Sequence, residues 1–170
     1  MRRHPALHRL TEDHHHALVH LRRLRQADAR TIRARVQQFL TAWQDEVQPH
    51  FREEEMALLP CVCPPIGPDR GPIPVMCAQH IRIRRAVMEL RRAHLAGDEE
   101  QCLAAAAAVA EALEEHVRHE EREVFEAVQE TLDEVRMAAL GEYLSAWEAA
   151  VAESRALDAA SRAQEEGPEG

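Results

Sequence analysis

The chain has 170 residues, 45% hydrophobic and 30% charged, with a net charge of −9 and 4% aromatics. That suffices for one domain with a real core, and a composition dominated by Ala, Leu, Arg and Glu, without β-branched runs or Asn-Gly turns, predicts an all-α fold. The acidic balance argues against nucleic acid as a partner, because counterion release would not favour it, and no stretch approaches the roughly 20 apolar residues of a membrane span.

The opening MRRHPALHRLTEDHHH is basic but lacks the apolar region of a signal peptide, so a cytoplasmic location is expected, with the four cysteines kept as thiols. Leu7, Leu10, His14, Leu18, Leu21 and Leu24 recur at three- and four-residue spacing and predict a helix over residues 7–26. A second is expected over 30–59, with Val36, Leu40, Trp43, Val47, Phe51 and Leu58 on its apolar stripe and a kink at Pro49. PCVCPPIGPDRGPIP, residues 60–74, reads as a loop because of its prolines and glycines. A third helix, over 75–96, carries Val75, His80, Ile83, Val87, Leu90 and His94; Gly97 and Asp98 end it and cap a fourth over 99–129. Thr131 with Glu134 forms a capping box for a fifth helix, whose apolar side holds Leu132, Val135, Leu140, Leu144, Trp147 and Val151. The expected architecture is an up-down-up-down four-helix bundle with a short additional C-terminal helix, over residues 1–152, followed by a flexible polar tail over 153–170. The fifth helix is the candidate surface for a homodimer.

Eleven histidines are the most informative count, and two of them begin a repeated spacing: His50 precedes Glu54 by four residues and His116 precedes Glu120 by four. Residues four apart share a helix face. His116 and Glu120 fall within the apolar stripe of their helix, and Glu54 falls within that of the second helix with His50 at its edge; Glu53 is expected to point away and His119 toward solvent. A carboxylate buried alone is costly. Two bound cations would compensate, bridged by the glutamates and capped by imidazoles. His14 and His80 lie on the core stripes of the first and third helices, so the inward-facing set becomes His14, His50, Glu54, His80, His116 and Glu120. Four imidazoles and two carboxylates suit iron or manganese, and zinc could fill part of the set. Cys61, Cys63 and Cys77 bracket the proline-rich stretch, but their spacing is not that of a zinc ribbon and no fourth ligand is evident, so they read as thiols without a common role. No Ser-His-Asp or Cys-His-Asn arrangement and no Gly-rich phosphate loop is legible.

DHHHAL, HFREEEMALLP, QHIRIRR and HVRHEEREVF, in that order, resemble the hemerythrin-like, or HHE cation-binding, family over about residues 7–130. The resemblance implies a four-helix bundle with a non-haem di-iron centre, oxo- or hydroxo-bridged, in which Glu54 and Glu120 bridge the irons and the four histidines complete them. It also marks a departure. Oxygen-carrying hemerythrins have a second histidine on the third helix, where this chain has Arg84. One iron would then be poorer in ligands and more open to solvent, with His15 as the best spare ligand. The function implied is binding, sensing or storage of O2, NO or iron. A metal-dependent peroxidase-like or nitrosative-damage repair enzyme at the same centre is the alternative.

Overall fold

The computed structural model describes residues 2–165, and among these every regular element is helical. After a single 3-10 turn (Pro5–Leu7) come α1 (His8–Arg25), α2 (residues 32–66), α3 (Ile73–Ala96), α4 (residues 99–131) and α5 (Glu134–Glu165). The turns between them follow local chemistry. Asp28 caps the start of α2 by accepting from the N–H groups of Arg30 and Thr31. Gly97, at φ 71°, lets the N–H of Asp98 reach back to the carbonyl of Ala93 at 3.2 Å, and the Asp98 carboxylate then accepts from Gln101 N–H at 2.9 Å to start α4. The cap of α5 is Asp133, which accepts from Arg136 N–H at 2.9 Å. Thr131, expected to open a capping box, is instead the last residue of α4.

Two apolar clusters fill the interior. One gathers Leu21, Phe39, Trp43, Phe51, Ile83, Leu90, Val109 and Leu113. The other gathers Leu10, Leu58, Val62, Met76, Val124, Phe125, Val128 and Leu140. Helix α1 runs from the second cluster to the first, α2 from the first to the second, α3 back again and α4 in the reverse sense. On every one of these helices the crossing point is occupied by buried His or Glu. α5 packs on the N-terminal turn and on the middle of α2, and adds Met137, Leu140 and Leu144 to the second cluster. It is 32 residues long rather than short, and continues past residue 153, where the polar composition suggested fraying; residues 166–170 lie outside the described residues. Leu18 and Val135, expected on apolar stripes, are exposed, and Ala17 and Met137 take those inward positions.

Helices α2 and α4 are not uniform. α2 contains two π-helical turns, Trp43–Val47 and Glu54–Leu58, and α4 contains one, Glu120–Val124. These turns account for Pro49 and Pro60. A helix-interior proline clashes with the carbonyl four residues back and lacks a donor. For Pro49 and Pro60 that carbonyl belongs to Asp45 and Met56, each inside a π turn, where the chain bonds five residues back: Gln48 N–H to Trp43 and Leu59 N–H to Glu54. The widened turn removes the conflict. α2 passes Pro60 in this way and runs on through Pro64 and Pro65 to Ile66, so the loop expected over 60–74 contracts to residues 67–72, beginning at Gly67 with φ 97°.

Candidate metal centre

Each of the first four helices brings one imidazole to the polar layer: His14 from α1, His50 from α2, His80 from α3 and His116 from α4. α2 and α4 add Glu54 and Glu120, and both carboxylates stand at the first residue of a π turn. All six side chains are buried, Glu54, His116 and Glu120 completely. Every imidazole turns Nε2 inward. Nε2 of His14 lies 2.8 Å from Glu120 Oε2, that of His50 3.2 Å from Glu54 Oε1, that of His80 3.3 Å from Glu54 Oε2 and that of His116 3.4 Å from Glu120 Oε1.

The six thus fall into two groups that share the carboxylates. His14, His50, Glu54 and Glu120 offer ligand atoms all within 4.8 Å of one another, and so do Glu54, His80, His116 and Glu120. One oxygen of each glutamate faces the first pair of histidines and the other faces the second pair. Each group could hold one cation, with the carboxylates bridging. The donor atoms fit such ions in a further respect. Both oxygens of Glu54, Oε1 of Glu120 and the Nε2 atoms of His50, His80 and His116 are buried without a hydrogen-bond partner. Orphaned polar atoms at this density are costly unless something binds them.

The outward nitrogens are provided for separately. His14 Nδ1 lies 2.8 Å from Glu121 Oε1 and His80 Nδ1 lies 2.8 Å from Glu55 Oε1. Asp13 Oδ2 is 3.3 Å from His50 Nδ1, and Gln79 Oε1 is 3.4 Å from His116 Nδ1. The hydrogen-bonded acceptors at His14, His80 and His116 fix the tautomer that leaves Nε2 free to ligate. The doubled glutamates of HFREEE and HVRHEE thereby acquire separate tasks. Glu54 and Glu120 face inward, while Glu55 and Glu121 each receive a histidine from a neighbouring helix. The two halves match in detail. Arg84 pairs with Glu55 and lies over the Phe51 ring, which stacks on His80 at 4.0 Å. Arg3 pairs with Glu121 and lies over the Phe125 ring, which stacks on His14 at 5.5 Å.

The electrostatics follow from this arrangement. Burial opposes charge on His50, but the Glu54 carboxylate prevails and lifts it to about 10. Burial opposes charge on His80 and His14 as well, but the adjacent glutamates prevail: His80 rises to about 9 and His14 also rises. Burial raises Glu54, yet the adjacent His50 charge carries it well below the usual carboxylate range. Glu121, partly buried and bonded to His14, is pulled down to about 2. His116 is the exception. Burial dominates, its outer partner is an uncharged amide, and it falls to about 4.

Glu53 does not point away: it is buried and paired with Arg9. Arg84 leaves no opening beside His80, because its guanidinium fills that side and His80 is buried. His15 is exposed and supplies nothing to the layer. Cys61, Cys63 and Cys77 are free and half-buried against the second apolar cluster. Arg3, Asp13, Glu55, Gln79 and Glu121 went unrecognised from sequence; the repeated Glu-Glu was the one available signal.

A helical bundle whose interior is crossed by one layer of four histidines and two shared carboxylates defines a class of cation-binding protein. The family model described as the hemerythrin HHE cation binding domain matches residues 6–128, and the chain belongs to that family. No curated protein and no solved structure gives a significant match to the chain. No helix among the described residues is long and apolar enough to cross a membrane.

Proposed function

We propose that the chain binds two iron ions inside an up-down-up-down bundle and uses them to bind, sense or store O2, NO or iron. His14 and His50 would hold one ion, His80 and His116 the other, and Glu54 and Glu120 would bridge them. The observation that carries this reading is the inward convergence of four Nε2 atoms on two shared carboxylates, most of them without any other partner. Imidazole with carboxylate suits iron and also manganese; zinc, with four ligands, would fit either group singly. Bound iron supplies redox change and an affinity for small diatomic molecules. The protein contributes the rest. The glutamates would set the spacing of the two positions, the outer acceptors hold His14, His80 and His116 in the ligating tautomer, and the apolar clusters keep bulk water from both ends of the layer.

Iron-replete expression followed by metal analysis tests the reading: the parent should carry about two irons per chain, and Glu54→Ala should lose most of them. A colourless, metal-free parent would refute it. A second reading, turnover of hydrogen peroxide or NO at the same centre, is favoured by a cavity of about 320 Å³ that reaches His14, His50 and His116 and has room for more than a diatomic molecule. It requires catalytic consumption of peroxide or NO that disappears in Glu120→Ala.

A further inference from the structure

The same cavity opens between α1, the middle of α2, α4 and α5. Its floor includes His50, which is buried, lines the cavity, and has neither ring nitrogen in a well-formed hydrogen bond. Above it stand five carboxylates, those of Asp13, Asp45, Glu46, Glu53 and Glu148, against a single arginine, Arg9. Arg9 gathers three of them: it pairs with Glu53 and lies 3.3 Å from both Asp13 Oδ2 and Glu148 Oε2. Asp13 in turn touches His50, so one carboxylate links the mouth to the floor. Apart from the imidazoles of His14, His16 and His116, the remaining wall is apolar, with Ala17, Val47, Leu113 and Val151. Glu148 and Val151 belong to α5, which lies beyond the segment matched by the family model.

We propose that this cavity is the entrance by which a divalent cation reaches the buried centre, with α5 as its outer wall and the carboxylates of the mouth as its attractant. The proposal rests on the metal-binding reading above. A mouth of one sign set in low-dielectric walls concentrates ions of the opposite sign and repels anions; a neutral diatomic molecule gains nothing from it. Arg9 holds the place that positive charge occupies between arrivals, and Asp13, shared between Arg9 and His50, is the step from mouth to layer. Charges at a rim act chiefly on the rate of association, in a way that salt screens.

The test mixes metal-free protein with Fe2+ under anaerobic conditions and follows free Fe2+ with a ferrous chelator. Glu46 and Glu148 are half-exposed, so replacing them leaves folding intact. In the double variant E46Q/E148Q, uptake should slow by about fivefold at low ionic strength, and the difference should vanish in high salt, with the final iron content equal to the parent's. E99Q/E100Q, which removes the same charge at the exposed first turn of α4, should load at the parent's rate. Equal rates for parent and E46Q/E148Q, or equal slowing in E99Q/E100Q, would overturn the entrance and leave the centre standing. A parent that takes up no Fe2+ at all would overturn the centre, and the entrance with it.

Discussion

Glu55 and Glu121 do their work through the histidines of neighbouring helices, and their removal separates orientation from ligation. Glu55→Ala leaves all six inward groups in place but frees His80 to rotate or change tautomer. Iron affinity should fall by about 10- to 100-fold, measured by competition with a chelator, while Arg84→Ala, which only loosens Glu55, should cost less. Phe51 is fully buried, stacked on His80 and edge-on to Trp43. Phe51→Ala should destabilise the iron-free protein by about 3–5 kcal/mol in urea unfolding. The inward histidines were legible from sequence because helical phase is a local property. The outer partners were not, because Glu55 meets His80, and Glu121 meets His14, only through the packing of separate helices. Glu53 was misjudged for a related reason: phase along α2 says nothing of Arg9, which arrives from α1.

The π turns are the element-scale device of this bundle. Those beginning at Glu54 and Glu120 insert an extra residue where the carboxylates enter the layer, so each helix presents Glu there and still returns its next apolar residues to the second cluster. Removing exposed Arg122 would let an ordinary α turn replace the π turn without rotating the rest of α4, because the widened turn already absorbs that residue. Val124, Phe125 and Val128 would keep their cluster, and cooperative thermal unfolding is expected to persist by calorimetry; loss of the transition would contradict this reading of the π turn. Helix existence followed from periodicity, and Asp98 and Gly97 marked their boundary by cap chemistry. Pro60 misled because a proline signals a break only when the turn before it is an ordinary one, and a π turn has no residue signature of its own.

At the scale of the molecule, two apolar clusters enclose a polar layer that is balanced only when positive charge sits within it. On the proposed reading iron would bind the folded state alone, so stripping it should lower the unfolding midpoint, with about 2.7 kcal/mol lost relative to protein held at a hundredfold excess over Kd. Differential scanning calorimetry with and without a chelator measures that loss. α5 closes the second cluster with Met137, Leu140 and Leu144. A chain ending at residue 133 should therefore melt at lower temperature and aggregate more readily, as light scattering would record. The most direct measurement is anomalous diffraction at the iron edge from crystals of the iron-loaded protein. Two peaks should lie between Glu54 and Glu120, one beside His14 and His50 and the other beside His80 and His116. Density empty of any anomalous scatterer, with the six side chains hydrogen-bonded to one another or to water, would contradict the account.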